Sequence, residues 1–211
     1  MSRFDDLAAT WEDNPGREAR ARVVADAISE RLPLSDTWSV LDVGSGTGLL
    51  SRVLADRVGS IVLVDTSPGM TAVATDRIEA SGLSSLSAYC LDVTREAPPG
   101  APFDLAVSLL VLHHVAEVES FLESVLSRLV PGGYLAFSDL AAEDGTFHDD
   151  PSEDVQHHGF TPARLAATAS SAGFVDVRVE EIHRIVKQRD GRDVSYGLLL
   201  LTARVPVPVT S

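Results

Sequence analysis

Hydrophobic positions along this chain follow two alternating rhythms. Short apolar-rich runs at 40–43, 61–64, 86–91 and 103–107 have the length and residue content of buried strands. Between them, apolar residues recur at helical spacing. Ala21, Val24, Ile28 and Leu32 predict a helix over 17–32, stopped by Pro33. Leu50, Leu54 and Val58 mark a face after the first run, and Met70, Val73 and Ile78 one after the second, where Ser67-Pro68 is a start signal. Val118, Phe121, Leu122, Val125, Leu126 and Leu129 form a longer amphipathic face that Pro131-Gly132-Gly133 ends. A fifth strand is expected at 134–138. Thr161-Pro162 opens a helix over 163–172, closed by Gly173. Two last strands, 175–186 and 195–205, flank a polar turn at 188–193 and read as an antiparallel pair. This alternation predicts one α/β domain over all 211 residues, with no internal repeat and a frayed tail at 206–211.

The first run carries the chemistry. Residues 40–50 read V-L-D-V-G-S-G-T-G-L-L, a strand that enters a Gly-rich turn and then a helix. Such a turn presents backbone N–H groups at a helix start and lets a ligand approach closely. The dinucleotide fingerprint requires a third glycine where this chain has Leu49. Asp42 beside the loop would repel a pyrophosphate but suits a ligand with a positive amine, such as S-adenosylmethionine (SAM). The second run ends at Asp65, in the range where an acid bonds ribose hydroxyls. The third ends at Asp92, which could accept from an adenine amine. Three acids at strand ends point to the crevice where open α/β sheets bind ligands.

Taken together, these motifs resemble the class I SAM-dependent methyltransferases, over roughly residues 4–204. V-L-D-V-G-S-G-T-G is similar to the family's SAM-binding loop and contains Asp42, Gly44, Ser45 and Gly46. V-D-T-S-P-G-M resembles the ribose-binding turn, with Asp65, Thr66 and Met70; L-D-V resembles the adenine-binding segment, with Asp92 and Val93. F-D-L-A-V-S, ending at Ser108, and L-H-H-V resemble the fourth strand and its exit loop, and L-V-P-G-G-Y-L the turn into the fifth strand. The likeness is nearest to the small-molecule branch that includes ubiquinone and menaquinone biosynthesis enzymes, and F-D-x-x-A-x-x-W-E at 4–12 resembles that branch's lid. The resemblance implies an α/β, Rossmann-like, seven-stranded, mostly parallel sheet with an antiparallel last strand and helices on both faces. It implies SAM as cofactor, S-adenosylhomocysteine as product, and in-line methyl transfer to an O-, N- or C-nucleophile of a small molecule. The competing readings are an NAD(P)-dependent oxidoreductase and a catalytically silent SAM-binding module.

A net charge of −14 argues against nucleic acid and against docking on anionic membrane. With no 18-residue apolar run and no leader pattern, a cytoplasmic protein is expected; the oligomeric state stays open. Cys90, the single cysteine, is expected to be a buried small hydrophobe. The sequence S-L-L-V after the fourth run differs from the Asn/Asp-Pro-Pro-Tyr of DNA and glutamine amino-methyltransferases. One cysteine cannot supply the thiol set of arsenite enzymes, and it lies outside the positions that cytosine-C5 enzymes use.

Two segments are expected to face substrate: 1–16, holding Phe4 and Trp11, and 140–159, a loop too long for a plain connection. Catalytic candidates are His113, His157 and His158, with His114, Asp139 and Glu143 as further bases. Adjacent His113 and His114 are expected to point in different directions, one to substrate and one into the structure. His148, Asp149, Asp150, His157 and His158 have ligand chemistry, but their spacing matches no standard zinc signature, so no metal is expected.

Overall fold

The apolar runs form strands β1 (Ser39–Val43), β2 (Ser60–Asp65), β3 (Leu86–Cys90), β4 (Phe103–Leu109), β5 (Leu129–Leu140), β6 (Val175–Arg189) and β7 (Arg192–Arg204). The helices are α1 (Arg3–Leu7), α2 (Pro15–Arg31), α3 (Leu49–Leu54), α4 (Pro68–Ser81), α5 (Val118–Leu126) and α6 (Pro162–Ser171). These come from a computed structural model that describes residues 3–148 and 155–208. The sheet order is β3-β2-β1-β4-β5-β7-β6, and β7 runs antiparallel to both of its neighbours, β5 and β6. The expected Rossmann-like sheet, mostly parallel with one reversed strand, is the one found.

Successive side chains of a strand point to opposite faces, so a sheet covered on both sides needs apolar residues at consecutive positions. Val40 joins one core with α2, α3 and α4, and Leu41 and Val43 join the other with α5 and α6. In β7, Leu198 and Leu200 alternate with Leu199 and Leu201 in the same way. Helix starts follow their caps. Ser67 Oγ accepts from Met70 N–H at 3.1 Å, and Thr161 Oγ1 from Arg164 N–H at 3.2 Å, each ahead of a proline.

The structure departs from the sequence reading at several places. The N-terminal segment is helical, with α1 followed by a 3-10 stretch over Ala8–Asp13, and α2 begins at Pro15 because Asn14 caps it. Leu129 opens β5 and is not on α5. It is buried in the core that α5 also faces, which is why it mimics the helical period. The expected six-residue turn at 188–193 shrinks to Asp190-Gly191, with φ of 48° and 75°. Positive φ at both positions fits the type I′ hairpin turn that Asp-Gly favours. Cys90 is exposed, not buried, because β3 is an edge strand. The tail residues 209–211, and Asp149 and Asp150 among the proposed ligands, lie outside the described residues.

Candidate active site

Strand order reverses between β1 and β4. The chain steps outward from β1 through β2 to β3, then returns to β1's other side. At such a switch point the carboxyl ends of the strands diverge and leave a crevice. The loop after β1 lies there. Gly44 and Gly46 have φ of 65° and 54°, backbone that side chains other than glycine's adopt only with strain. A Cβ on Gly44 would lie 2.4 Å from Val111 Cγ2, so the loop is pressed against the exit of β4.

The loop is not the bare amide cradle its sequence suggests. Gly44 and Ser45 N–H donate to Val64 O, Gly48 N–H to Ser45 O, and Gly46 N–H to Asp65 Oδ2 at 2.8 Å. Thr47 Oγ1 is buried without a hydrogen-bond partner among the described residues. A buried polar atom of that kind fits a polar ligand group.

Asp65 bridges two segments. Besides Gly46, it accepts from Ser67 N–H at 2.8 Å, and burial raises its pKa against these bonds. Asp42 sits beneath the loop, buried, and accepts from Ser51 Oγ at 2.6 Å. Burial pushes its pKa up to about 7, with Asp65's charge adding to the effect and the Ser51 bond opposing it. Ser108 is equally enclosed and donates to Val43 O at 2.7 Å. The side chains of Asp42 and Ser108 are therefore engaged inside the protein. Met70 and Val93 are buried, Thr66 is exposed, and Asp92 accepts from Thr94 N–H and Oγ1 beside Arg95.

A folded-state pKa above the unfolded value favours the protonated form of Asp42. The resulting cost is absent below about pH 4, grows as pH rises to about 7 and is constant above. Asp42→Asn should flatten this dependence, by at most ~1.4 kcal/mol per pH unit. Urea midpoints at pH 5 and pH 8 check it. An equal pH difference in both proteins would show that Asp42 is not the titrating group.

The N-terminal segment straddles the crevice. Asp5 Oδ1 accepts from Ser67 Oγ at 2.5 Å and from Gly69 N–H at 3.0 Å, at the exit of β2. The neighbouring Phe4 ring meets His114 at the exit of β4, with centroids 5.4 Å apart. Because β1 lies between β2 and β4, the segment crosses the glycine loop. Glu12 then pairs with Arg52 at 2.9 Å and Arg77 at 3.8 Å. Phe4 thus brings the segment onto the exit of β4, and Trp11 packs against Phe4 with ring centroids 6.0 Å apart.

The histidines separate into two groups. His113 and His114 lie on a 3-10 turn, Leu112–His114, with ring centroids 4.0 Å apart. The rings lie side by side, tilted by 43°, but in different surroundings: His113 is buried and His114, half-buried, meets Phe4. His113 Nδ1 lies 2.7 Å from Asp139 Oδ1, with both side chains buried. Asp139 also accepts from Leu140 N–H at 2.7 Å, so its oxygens serve as acceptors. That places the ring proton on Nδ1 and leaves Nε2 as the basic atom. His148 joins them: one ring nitrogen from each of His113, His114 and His148 lies within 4.8 Å of the others. Burial, with His113 and His114 beside it, lowers the His148 pKa to about 4. His157 and His158 do not enter this cluster. His157 Nε2 lies 3.0 Å from Val115 O, and the His158 side chain is 62% exposed at the rim, 3.5 Å from Glu143. Glu143 is itself tied to Gly145 and Phe147 N–H. The described flanks of the 140–159 loop are also pinned: Ala142 N–H donates to Phe160 O, and Gln156 and His157 N–H to His113 O.

The methyltransferase domain family matches residues 17–188. This chain belongs to the SAM-dependent methyltransferase family. The ubiquinone biosynthesis O-methyltransferase of Xylella fastidiosa (strain 9a5c) is 33% identical, over 98% of this chain and 92% of that protein. The biotin biosynthesis bifunctional protein BioCD of Bordetella avium (strain 197N) is 28% identical; the match covers 97% of this chain but 43% of that longer protein. Among solved structures, the complex of DhpI with SAH superposes with a TM-score of 0.73 at 24% identity, covering 97% of this chain and 94% of the other. The methyltransferase is thus an enzyme of the expected family, and the nicotinamide-dependent alternative falls away. What sequence reasoning missed is His148 as a neighbour of His113 and His114, and Asp5 as a second cap of α4. Neither has a local signal. Each depends on a contact between segments distant in the chain.

Proposed function

We propose that this methyltransferase transfers the methyl group of SAM to a small-molecule acceptor held beside His113 and His114. The observation that carries this reading is the adjacency of two features: the glycine loop bracketed by Asp65, and the buried Asp139–His113 pair one strand away. SAM, when bound, supplies an electrophilic methyl group on a sulfonium. Gly44, Ser45 and Gly46 would line its amino-acid end, Asp65 and Thr66 its ribose, and Met70, Asp92 and Val93 its adenine. Asp42 would act from beneath the loop as a charge.

His113 is the proton acceptor on the acceptor's side, with Nε2 as the basic atom and Asp139 orienting the ring. The segment around Phe4 and Trp11 excludes water there. The net charge of −14 disfavours polyanionic acceptors, and the names of the relatives, from ubiquinone and biotin biosynthesis, favour a small metabolite. No helix among the described residues is long and apolar enough to cross a membrane, in keeping with work in the cytoplasm.

Calorimetry with SAM, S-adenosylhomocysteine and NADH tests the cofactor half of this reading. Saturable binding of the first two and none of NADH is the expected outcome. NADH binding without a response to SAM would sink it.

A further inference from the structure

We propose that His113, His114 and His148 form a binding site for a divalent transition-metal ion of the zinc class, with Asp139 as its outer carboxylate. The proposal deepens the acceptor-side reading above, on which its place in the reaction rests; the ion's binding does not.

The three rings each bring one nitrogen within 4.8 Å of the others. A tetrahedral zinc with Zn–N of about 2.0–2.1 Å holds its nitrogens ~3.3 Å apart, so only a small inward shift of the rings is needed. His113 already has the partner that metal-bound histidines have. Its Nδ1–H donates to a buried carboxylate at 2.7 Å, which fixes the tautomer and presents Nε2 as the ligand atom. Without the ion, Nε2 is the basic atom described above; with it, Nε2 becomes a ligand.

His148 is held in place by the residue before it. Phe147 is buried. Its N–H donates to Glu143 Oε2 at 3.0 Å, and its carbonyl accepts from Lys187 Nζ and Arg189 Nη2, both at 2.6 Å. Three groups from two segments thus fix where His148 begins. The turn carrying His113 and His114 is fixed as well, through His114 N–H to Val111 O and through the Asp139 bonds. A set of neutral imidazoles suits zinc, copper, nickel or cobalt. It is poor for magnesium or calcium, which require oxygen ligands. Three protein ligands leave a fourth position for water or for an oxygen or nitrogen of the acceptor, the arrangement of catalytic zinc sites.

The test uses untagged, full-length protein stripped with a chelator. Zinc chloride is titrated by calorimetry, and cobalt chloride by visible absorption. One equivalent of zinc should bind, with cobalt giving the intense bands of a low-coordinate site, and magnesium should give no response. His148→Ala should weaken zinc binding at least 100-fold, and Asp139→Asn about 10- to 100-fold. His183→Ala, on exposed β6, should leave it unchanged. His148→Asn is the companion variant, and circular dichroism confirms that each protein is folded. Zinc binding that is absent, or equal in His148→Ala and the parent, overturns the site; so does equal affinity for magnesium. SAM titrations on the same samples keep the two readings apart. Zinc binding with no SAM binding would uphold the site and count against the proposed function.

Discussion

Asp65→Ala protein is expected to bind SAM about 2–4 kcal/mol more weakly, roughly 30- to 1,000-fold, from the loss of two hydrogen bonds to a charged group at ~1.5–3 kcal/mol each, less what water restores. The sequence alone predicts this loss with the fold untouched. The structure adds a second effect. Asp65 is the acceptor for Gly46 N–H and Ser67 N–H, so its removal also unties the glycine loop from the start of α4. A fall in the thermal midpoint should accompany the loss of affinity. Asp65→Asn, which keeps one acceptor oxygen, should fall between the two proteins on both counts. Calorimetry paired with thermal unfolding measures both. Undiminished SAM affinity in folded Asp65→Ala would move the ribose site elsewhere.

His113→Ala is expected to have the largest effect on turnover, a loss of about 10²–10⁴-fold, the range for removing a positioned proton acceptor. It should also destabilise the fold by about 3–5 kcal/mol, because Asp139 is left buried without its ring partner. In a double-mutant cycle, His113→Ala and Asp139→Asn should be less than additive, with coupling of ~1–3 kcal/mol. His158→Ala should change turnover little, since its ring lies mostly in solvent beside Glu143. Denaturant midpoints and single-turnover rates with SAM decide between the two histidines. A large loss in His158→Ala with an unaffected His113→Ala would return the proton acceptor to the loop.

The sheet is legible in the sequence because its strands are buried on both faces, so β1, β2 and β4 stand out as apolar runs without alternation. The glycine loop is legible because positive φ at Gly44 and Gly46 demands one residue type. Boundaries fail where two elements share one core. Leu129 packs beside α5 while belonging to β5, and apolar periodicity cannot tell these apart. Cys90 fails for a related reason: an apolar run does not announce that its strand lies at the sheet edge. In the site, residue types are legible but the directions of side chains are not. Ser51 and Val43 engage the oxygens of Asp42 and Ser108, contacts that no local pattern announces. The histidine cluster is the least legible part, since His148 is brought to it by contacts of Phe147 with Glu143 and β6.

The bridge made by Phe4 and Asp5 bears on rates as well as on affinity. A ligand beneath a segment tied at both edges of its crevice cannot leave until those ties break. If cofactor binds in the crevice as proposed, it and the spent product would exchange no faster than the segment opens, and that opening would be set by Asp5 at Ser67 and Gly69 and by Glu12 between Arg52 and Arg77. These contacts touch neither the sulfonium nor the acceptor. On that reading they would nonetheless place a ceiling on how often the enzyme can complete its cycle.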